Sequence, residues 1–511
     1  MSYYNISDLE AWNQRIRDKV SEFGLDCYDQ EFDLCDSDQM MGHMAYSGMP
    51  AHYPHWSFGQ AFERQKTFYE YGISGLPYEM VINSDPAIAY LMKDNSLLLQ
   101  ILTIAHVYGH NDFFKNNSTF KYTHARETIN RTITHAARIR KYCADPSIGL
   151  SEVEAVIDAG HALMFQCRRS LAIRKLSIEE QKNRVWEKYF GKPQDQDAIL
   201  KPAQTEEEKE RQEDLYHFEV NKVPIEPEAD VLLFIRDHSP VLRDWEKDIL
   251  TIIHEEAQYF IPQIDTKIMN EGWASYWHKH ILTSLKLSQD LAIEFAVRHS
   301  QVLRPNPYNL NPYHVGWTIW NAIRIYYDGK INPSLLNKQE FEPQLFEKMD
   351  RDFKERNAVP TDAGLLTGHQ KLFKVRSRYQ DQSFIRNFLT PVLIAELDLF
   401  TYSKKEKLLV IDKIAGDNEW QKIRDTLIAQ IGVNSIPVIE ITDADTENKR
   451  VLFLVHDFDG RELEAEYAQK TMECLRFLWG NDVLLQTVFR GKKAHYVATE
   501  KGVKVPKGAL Q

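Results

Sequence analysis

Two histidines, His106 and His110, lie four residues apart at the end of a strongly apolar run that begins at Leu97. Residues at i and i+4 share one face of a helix, and a helix that is apolar all round is buried. We therefore expect two buried, adjacent imidazoles, which could bind one divalent metal ion as in HExxH zinc helices. Val107 stands where those helices carry a glutamate base. The alternative is a structural pair, hydrogen-bonded to neighbouring carboxylates or carbonyls.

A second signal comes from residues 270–274, where Glu271 is surrounded by apolar and aromatic residues. This segment looks like the helix that provides the third, glutamate ligand in glutamate-zincin peptidases, so Glu271 is the predicted third metal ligand. His278 follows on the same helix face but about 10 Å further along the axis. His278 is therefore predicted to hydrogen-bond a metal ligand from behind or to contact the substrate. The alternative is that two ions are bound and His278 binds the second. The alternative for Glu271 is a buried pairing with a histidine or an arginine.

Glu255 and Glu256 are the carboxylates predicted to act as the catalytic base that is missing beside His106. They follow His254 in a pattern that imitates the start of HExxH, but position 258 is Gln, so the motif is incomplete. The alternative is that both glutamates belong to a solvated helix face.

A third polar group has the spacing of one helix face and consists of Glu154, Asp158 and His161. The Asp158-x-x-His161 pattern comes near the Glu-x-x-His pattern of four-helix carboxylate sites for iron. It provides a further alternative function, a ferritin-like di-iron enzyme that would contain bound iron.

The elements that must position these residues are predicted to be mainly helices. Residues 1–330 are predicted to form a mainly α domain with a gluzincin-like helical site, interrupted by a charged excursion at residues 176–229. Residues 331–380 are a connecting segment. In residues 381–511 the pattern changes to the order ββαββαββ, which predicts a separate α+β domain with a largely antiparallel sheet.

Two local predictions concern the N-terminal part. Residues 27–58 contain proline and glycine and are predicted to be irregular, packing over a site or carrying one. Residues 76–83 are predicted to be extended, and Asp85-Pro86 is predicted to start a helix because proline is favoured in the first turn.

Composition limits the functional classes. The chain has 62 basic and 74 acidic residues, a formal charge of −12, which disfavours non-specific binding to nucleic acid or anionic membranes. The N-terminus has no basic or apolar signal region, and no run approaches the roughly 18 apolar residues of a membrane span. Five cysteines without CxxC spacing indicate reduced thiols. We therefore predict a cytoplasmic protein with no membrane span and no nucleic-acid partner.

The chain resembles the SpoVR family, the stage V sporulation protein R group of bacteria, over nearly its whole length. The matching segments are YPHWSF at 53–58, LPYEMVIN at 76–83, HVYGHNDFF at 106–114, LRDWEKDIL at 242–250 and TKIMNEGWASYWH at 266–278. The resemblance implies an association with formation of the spore cortex, a peptidoglycan layer. It also implies an association with an AAA-type serine protein kinase, beside which members occur in bacteria that do not sporulate. The family is expected to carry a basic residue, often arginine, where this chain has His254. That leaves His106, His110 and Glu271 as the better site candidates.

Two functions from different classes follow. The first is a metal-dependent hydrolase, a zinc-dependent peptidase or amidase, acting on a peptide or a cell-wall precursor. The alternative is a non-catalytic regulatory scaffold that acts with the serine protein kinase. In that case the buried polar residues are structural, and the acidic surface and the C-terminal domain bind partners.

Overall fold

The structure is a computed structural model, which describes residues 4–71, 79–169, 173–190, 206–305, 309–331, 342–399, 401–405, 408–413, 419–444 and 450–509. The chain divides into two compact units. Unit 1 comprises Met1–Arg138 and Tyr259–Ser435, and unit 2 comprises Ile139–Gln258 and Ile436–Gln511. Residues 381–435 of the predicted C-terminal domain thus fall in unit 1. Residues 191–205 of the predicted excursion and 332–341 of the predicted connecting segment lie outside the described residues.

The helices of the described residues are, in chain order, α1 Ile6–Glu22, α2 Ser37–Ala45, α3 Trp56–Glu70, α4 Leu97–Asn116, α5 Thr128–Ala144, α6 Leu150–Leu163, α7 Ile178–Phe190, α8 Glu206–Val220, α9 Val231–His238, α10 Asp244–Asp265, α11 Lys267–Ser284, α12 Gln289–Val302, α13 Pro312–Ile331, α14 Pro343–Glu355, α15 Gly368–Arg378, α16 Asp381–Phe388, α17 Pro391–Glu396, α18 Trp420–Gln430 and α19 Ala465–Trp479. The division between the units falls inside α5 and α10.

The strands of the described residues are β1 Gln30–Cys35, β2 Glu79–Ile82, β3 Ala87–Met92, β4 Thr401–Lys405, β5 Leu408–Lys413, β6 Ile439–Asp443, β7 Leu452–His456, β8 Val483–Phe489, β9 Lys492–Thr499 and β10 Gly502–Lys504. They confirm the predicted fold class, a mainly helical N-terminal part followed by an α+β C-terminal part with a largely antiparallel sheet.

Helix α11 is the centre of unit 1, and it packs closely against α4 and α13. Glycines allow this approach. A Cβ added to Gly109 of α4 would lie 2.6 Å from the Cα of Ala274 on α11, and a Cβ on Gly272 would overlap the backbone of Gly316 on α13. Residues 98–114 of α4 are all buried, as expected for a helix that is apolar on every side.

A buried ion pair fixes α4 against its neighbours. The carboxylate of Asp112 accepts hydrogen bonds from the Trp273 indole at 2.9 Å, the Arg376 guanidinium at 3.2 Å and the backbone N–H of Asp26 at 2.8 Å. We call these residues the Asp112 cluster. Burial raises the pKa of Asp112 to about 6, although Arg376 opposes the shift.

A small sheet of unit 1 has the strand order β1-β3-β2, with β1 parallel and β2 antiparallel to β3. The predicted helix start at Asp85-Pro86 is therefore wrong, because residues 87–92 form the central strand of this sheet. The prediction of an irregular segment at 27–58 is also wrong in part, since β1 and α2 lie within it. Pairing of β1 with β3, more than 50 residues apart in the chain, overrides the local preference at these two strands. Helix α2 instead has a local signal, because Asp36 and Gln39 form a capping box at its start.

The main sheet of unit 2 has the strand order β10-β9-β8-β7-β6, in which only the β7–β8 pair is parallel among the described strands. Its helix α19 packs against α6. None of the helices in the described part of the chain combines the length and the apolar run that crossing a bilayer requires.

Candidate metal centre

The two histidines of α4 lie side by side inside unit 1, as the sequence predicts. His106 is 3% exposed and His110 is 6% exposed. Their ring centroids are 4.6 Å apart, and the rings are nearly perpendicular to each other. The i, i+4 spacing and the burial of α4 thus place two imidazoles at one point.

Glu271 on α11 faces both imidazoles. Its Oε2 atom lies 3.4 Å from Nε2 of His110 and 3.8 Å from Nε2 of His106. The close packing of α4 on α11 at Gly109 and Ala274 brings the helices near enough for this arrangement. The structure therefore brings the three predicted metal ligands together.

A second carboxylate, which the sequence reasoning missed, is Glu79 at the start of strand β2. Its Oε1 atom lies 3.8 Å from Nε2 of His106. Glu79, His106 and His110 each offer a ligand atom within 4.8 Å of the others. A sequence signal did exist, because Glu79 is an acidic residue inside the largely apolar extended segment at 76–83. We call Glu79, His106, His110 and Glu271 the His–Glu cluster.

The hydrogen bonding of the His–Glu cluster tests whether these residues fit a metal ion. Nε2 of His106 and Oε2 of Glu271 are buried, yet neither forms a hydrogen bond with another described residue. Buried polar atoms are normally hydrogen-bonded, so two such atoms facing each other require an explanation. Two ligands on a tetrahedral zinc ion are about 3.4 Å apart, given bond lengths near 2.1 Å. The distances of 3.4 and 3.8 Å from Oε2 of Glu271 to the two imidazoles are longer than a typical hydrogen bond and close to the spacing of two ligands on one ion.

Neighbouring side chains orient both imidazoles. Nδ1 of His110 lies 2.9 Å from Oδ1 of Asn270, an acceptor, so His110 donates there, and in the neutral ring Nε2 carries the lone pair. Nδ1 of His106 lies 2.9 Å from Nδ1 of His278, and Nε2 of His278 lies 2.8 Å from Nδ1 of His299 on α12. If Nδ1 of His106 donates to His278 and Nε2 of His278 donates to His299, Nε2 of His106 in the neutral ring also carries a lone pair. His278 thus lies behind His106.

The pKa values of the two carboxylates, Glu271 and Glu79, are shifted in opposite directions. Burial alone would raise the pKa of Glu271, but the two facing imidazoles hold that pKa below its ordinary value. Burial raises the pKa of Glu79, and the attraction of His106 and His110 only partly offsets this. Glu271 is therefore the more firmly ionised carboxylate, and Glu79 is the better proton acceptor.

Tyr313, near the start of α13, also belongs to this region, although nothing in the sequence pointed to it. Its ring centroid is 5.9 Å from that of His106. The charge of Glu271 and burial raise the pKa of the Tyr313 hydroxyl, so this group is a proton donor at neutral pH.

The other predicted site residues lie in unit 2. Glu255 and Glu256 are half-buried residues of α10. The preceding His254 places Nε2 2.9 Å from Oδ2 of Asp230, the residue that caps α9. Asp230 also accepts hydrogen bonds from the backbone N–H groups of Leu233 and Arg168. The His254–Asp230 pair has the contacts of a structural pair.

Glu154, Asp158 and His161 lie on α6 of unit 2. Among the described residues, three side chains with metal-binding atoms within 4.8 Å of one another occur at Glu79, His106 and His110, and not at this trio. The di-iron alternative therefore has no support from ligand geometry in this part of the chain.

Comparisons with known proteins agree with the resemblance seen in the sequence. Residues 3–436 match the family model described as SpoVR like protein, and residues 437–490 match the model of the SpoVR-like C-terminal domain. The chain is 33% identical over 493 residues to "Uncharacterized protein YcgB" of Escherichia coli (strain K12), which covers 92% of this chain and 90% of that protein. No solved structure gives a significant match.

Proposed function

The chain belongs to the SpoVR family, and we propose that it is a metal-dependent hydrolase in which His106, His110 and Glu271 bind one divalent ion. The proposal is supported above all by the two buried, unbonded atoms, Nε2 of His106 and Oε2 of Glu271, that face each other. Two imidazoles and a carboxylate form a ligand set that suits zinc. A bound ion supplies Lewis-acid activation of a water molecule and of a substrate carbonyl.

Glu79 is the proposed general base. Its position 3.8 Å from Nε2 of His106 places it beside the ligands, and its raised pKa suits it to accept a proton from water near neutral pH. Glu255 and Glu256 are the base candidates from the sequence. We favour Glu79 because its distance from a proposed ligand is defined within one compact unit.

Tyr313 is the proposed donor to developing negative charge. Attack of water on an amide carbonyl places negative charge on the carbonyl oxygen, and a positioned hydroxyl stabilises that charge. Because the pKa of Tyr313 is raised, its proton is retained for this hydrogen bond.

The proposed substrate is an amide bond in a peptide or in a cell-wall precursor. This choice is supported by the association of the family with the spore cortex, a peptidoglycan layer. Two imidazoles and a carboxylate are also the ligand type of known zinc peptidases.

The experiment is hydrolysis of peptides and peptidoglycan fragments by the zinc-loaded full chain, with metal content measured on the same samples. Glu79→Gln is expected to retain metal and lower kcat by about 10²–10⁴-fold, as for loss of a general base. Glu271→Gln is expected to lose metal, whereas Glu255→Gln and Glu256→Gln remain active. Absence of hydrolysis by the metal-loaded wild type, or full activity of Glu79→Gln, would contradict the proposal. Loss of metal from Glu79→Gln would instead identify Glu79 as a ligand and contradict its role as base.

A further inference from the structure

A second concave site lies in unit 1 and shares no residue with the His–Glu cluster. It is a cavity of about 460 Å³, a size within the range of small-molecule sites. Its lining combines basic, aromatic and small polar side chains from α13 to α18. The cationic members are Arg356, Lys371, Arg386 and Arg424.

The charge of the lining is positive, in contrast to the chain as a whole. Among the described residues of the lining, four cationic side chains face two carboxylates, Asp352 and Asp362. Nε of Arg356 donates to Asp352 at 2.6 Å, and Nζ of Lys371 lies 2.8 Å from Asp362. Each carboxylate is thus already neutralised by one lining cation, and two cationic charges remain for a ligand.

The two remaining cations are Arg386 and Arg424. Arg386 is exposed and forms no ion pair with another described residue. Arg424 pairs with Asp425, which is 63% exposed and does not line the cavity. A surface pair of this kind is weak and leaves the guanidinium open to a stronger anion.

The aromatic lining holds the cationic groups in place. The guanidinium carbons of Arg356 and Arg424 lie 4.3 and 4.8 Å from the ring centroid of Trp420. Stacking on an aromatic ring orders a guanidinium before a ligand arrives, so less conformational entropy is lost on binding. Nζ of Lys371, whose side chain is 7% exposed, lies 4.8 Å from the ring centroid of Tyr327.

We propose that this cavity binds a small phosphorylated molecule, with its phosphate group held by Arg386 and Arg424. A phosphate monoester carries close to two negative charges at neutral pH, which match the two cations left without a lining carboxylate. Its oxygens accept the paired N–H donors of guanidinium groups. The cavity is larger than a phosphate ion, so it has room for the organic part of such a molecule.

The test is calorimetric titration of the full-length chain with inorganic phosphate, ribose 5-phosphate, ribose and succinate. We expect ribose 5-phosphate to bind, inorganic phosphate to compete with it, and ribose not to bind. Arg386→Gln is expected to weaken binding of ribose 5-phosphate by about tenfold or more, the effect of losing a charge-assisted bidentate contact. Arg378→Gln removes an exposed arginine that does not line the cavity, and it is expected to leave affinity unchanged.

Three results would overturn the proposal. One is that neither phosphate compound binds at millimolar concentration, and another is that Arg386→Gln and the wild type bind equally well. The third is tighter binding of succinate than of ribose 5-phosphate, which would assign the cavity to dicarboxylates. Glu271→Gln is expected to bind ribose 5-phosphate normally, so failure of the metal proposal and failure of this one are distinguishable.

Discussion

Helices α4 and α11 carry two buried polar clusters within about one turn of each other, and the two clusters differ in how their buried carboxylates are hydrogen-bonded. In the Asp112 cluster, both carboxylate oxygens accept hydrogen bonds from an indole, a guanidinium or a backbone N–H. In the His–Glu cluster, Nε2 of His106 and Oε2 of Glu271 face each other without a hydrogen bond. The Asp112 carboxylate is thus fully bonded without a ligand, although Nε of Arg376 in the same cluster has no hydrogen-bond partner among the described residues. The facing nitrogen and oxygen of the His–Glu cluster are suited to receive a ligand.

The His254–Asp230 pair of unit 2 extends the comparison. It too combines an imidazole and a carboxylate on helices, but its atoms are 2.9 Å apart and directly bonded. Residue types alone therefore do not separate a structural pair from a ligand set. What distinguishes the His–Glu cluster is the 3.8 Å separation between two buried atoms that lack a hydrogen bond, Nε2 of His106 and Oε2 of Glu271.

The largest expected effect is on the Asp112 cluster. Asp112→Ala leaves the buried guanidinium of Arg376 and the indole N–H of Trp273 without their acceptor, so we expect the free energy of unfolding to fall by about 3–5 kcal/mol. Chemical unfolding of the full chain measures this loss. Asp425→Ala, which breaks an exposed pair, is the control and should change stability by less than about 1 kcal/mol. Equal effects of the two variants would show that the Asp112 cluster is not a structural anchor.

The next effect is on the close approach of the helices that hold the clusters. A Cβ at Gly272 would overlap the backbone of Gly316, so Gly272→Ala is expected to destabilise by about 1–3 kcal/mol. Gly59 lies in α3 with nothing within 4 Å of an added Cβ, so Gly59→Ala should be neutral or stabilising. Thermal unfolding distinguishes the two. A neutral Gly272→Ala would mean that α11 and α13 can separate freely.

The third prediction concerns the orientation of a ligand. Asn270→Ala removes the acceptor that fixes the ring of His110, so we expect zinc affinity to fall by about 10–100-fold. Competition with a chelator of known affinity measures the change. Asn321→Ala on α13, whose amide bonds Glu342, is the control and should keep wild-type affinity. Unchanged affinity of Asn270→Ala would mean that His110 does not need this acceptor to bind the ion.

The smallest effect is expected at the His254–Asp230 pair. Burial raises the pKa of Asp230, but the hydrogen bond from His254 outweighs this and holds the pKa below its ordinary value of 3.8. A carboxyl with a lowered pKa in the folded state stabilises at neutral pH, and this contribution is lost as the pH falls through the lowered value. Asp230→Asn should therefore be less stable than the wild type by about 1–2 kcal/mol at neutral pH, with the difference vanishing in acid. A difference that does not depend on pH would assign the effect to the helix cap instead.

Much of the fold was predictable because its signals are local. The strands and helices of the C-terminal part follow from short apolar runs and amphipathic segments, and the predicted order ββαββαββ matches β4 to β9 with α18 and α19. The burial of His106 and His110 was predicted in the same way, from the apolar sequence of α4. The prediction failed at residues 87–92, where pairing with distant strands decides the structure.

The site was predictable only in part, because its members come from separate elements. Glu79 reaches the cluster from a strand and Tyr313 from the start of α13, and no spacing rule connects either residue with α4. The contact between His278 and His299 depends on how α11 packs against α12. Contacts of this kind are set by packing and cannot be read from periodicity.

Metal analysis of the purified full-length chain tests the account most directly. After dialysis against zinc and removal of free metal, we expect about one ion per chain in the wild type. His106→Ala should lose the ion, and His254→Gln should retain it because His254 already bonds Asp230. Clearly substoichiometric metal in the wild type, together with the same content in His106→Ala, would contradict the account and favour a structural role for the His–Glu cluster.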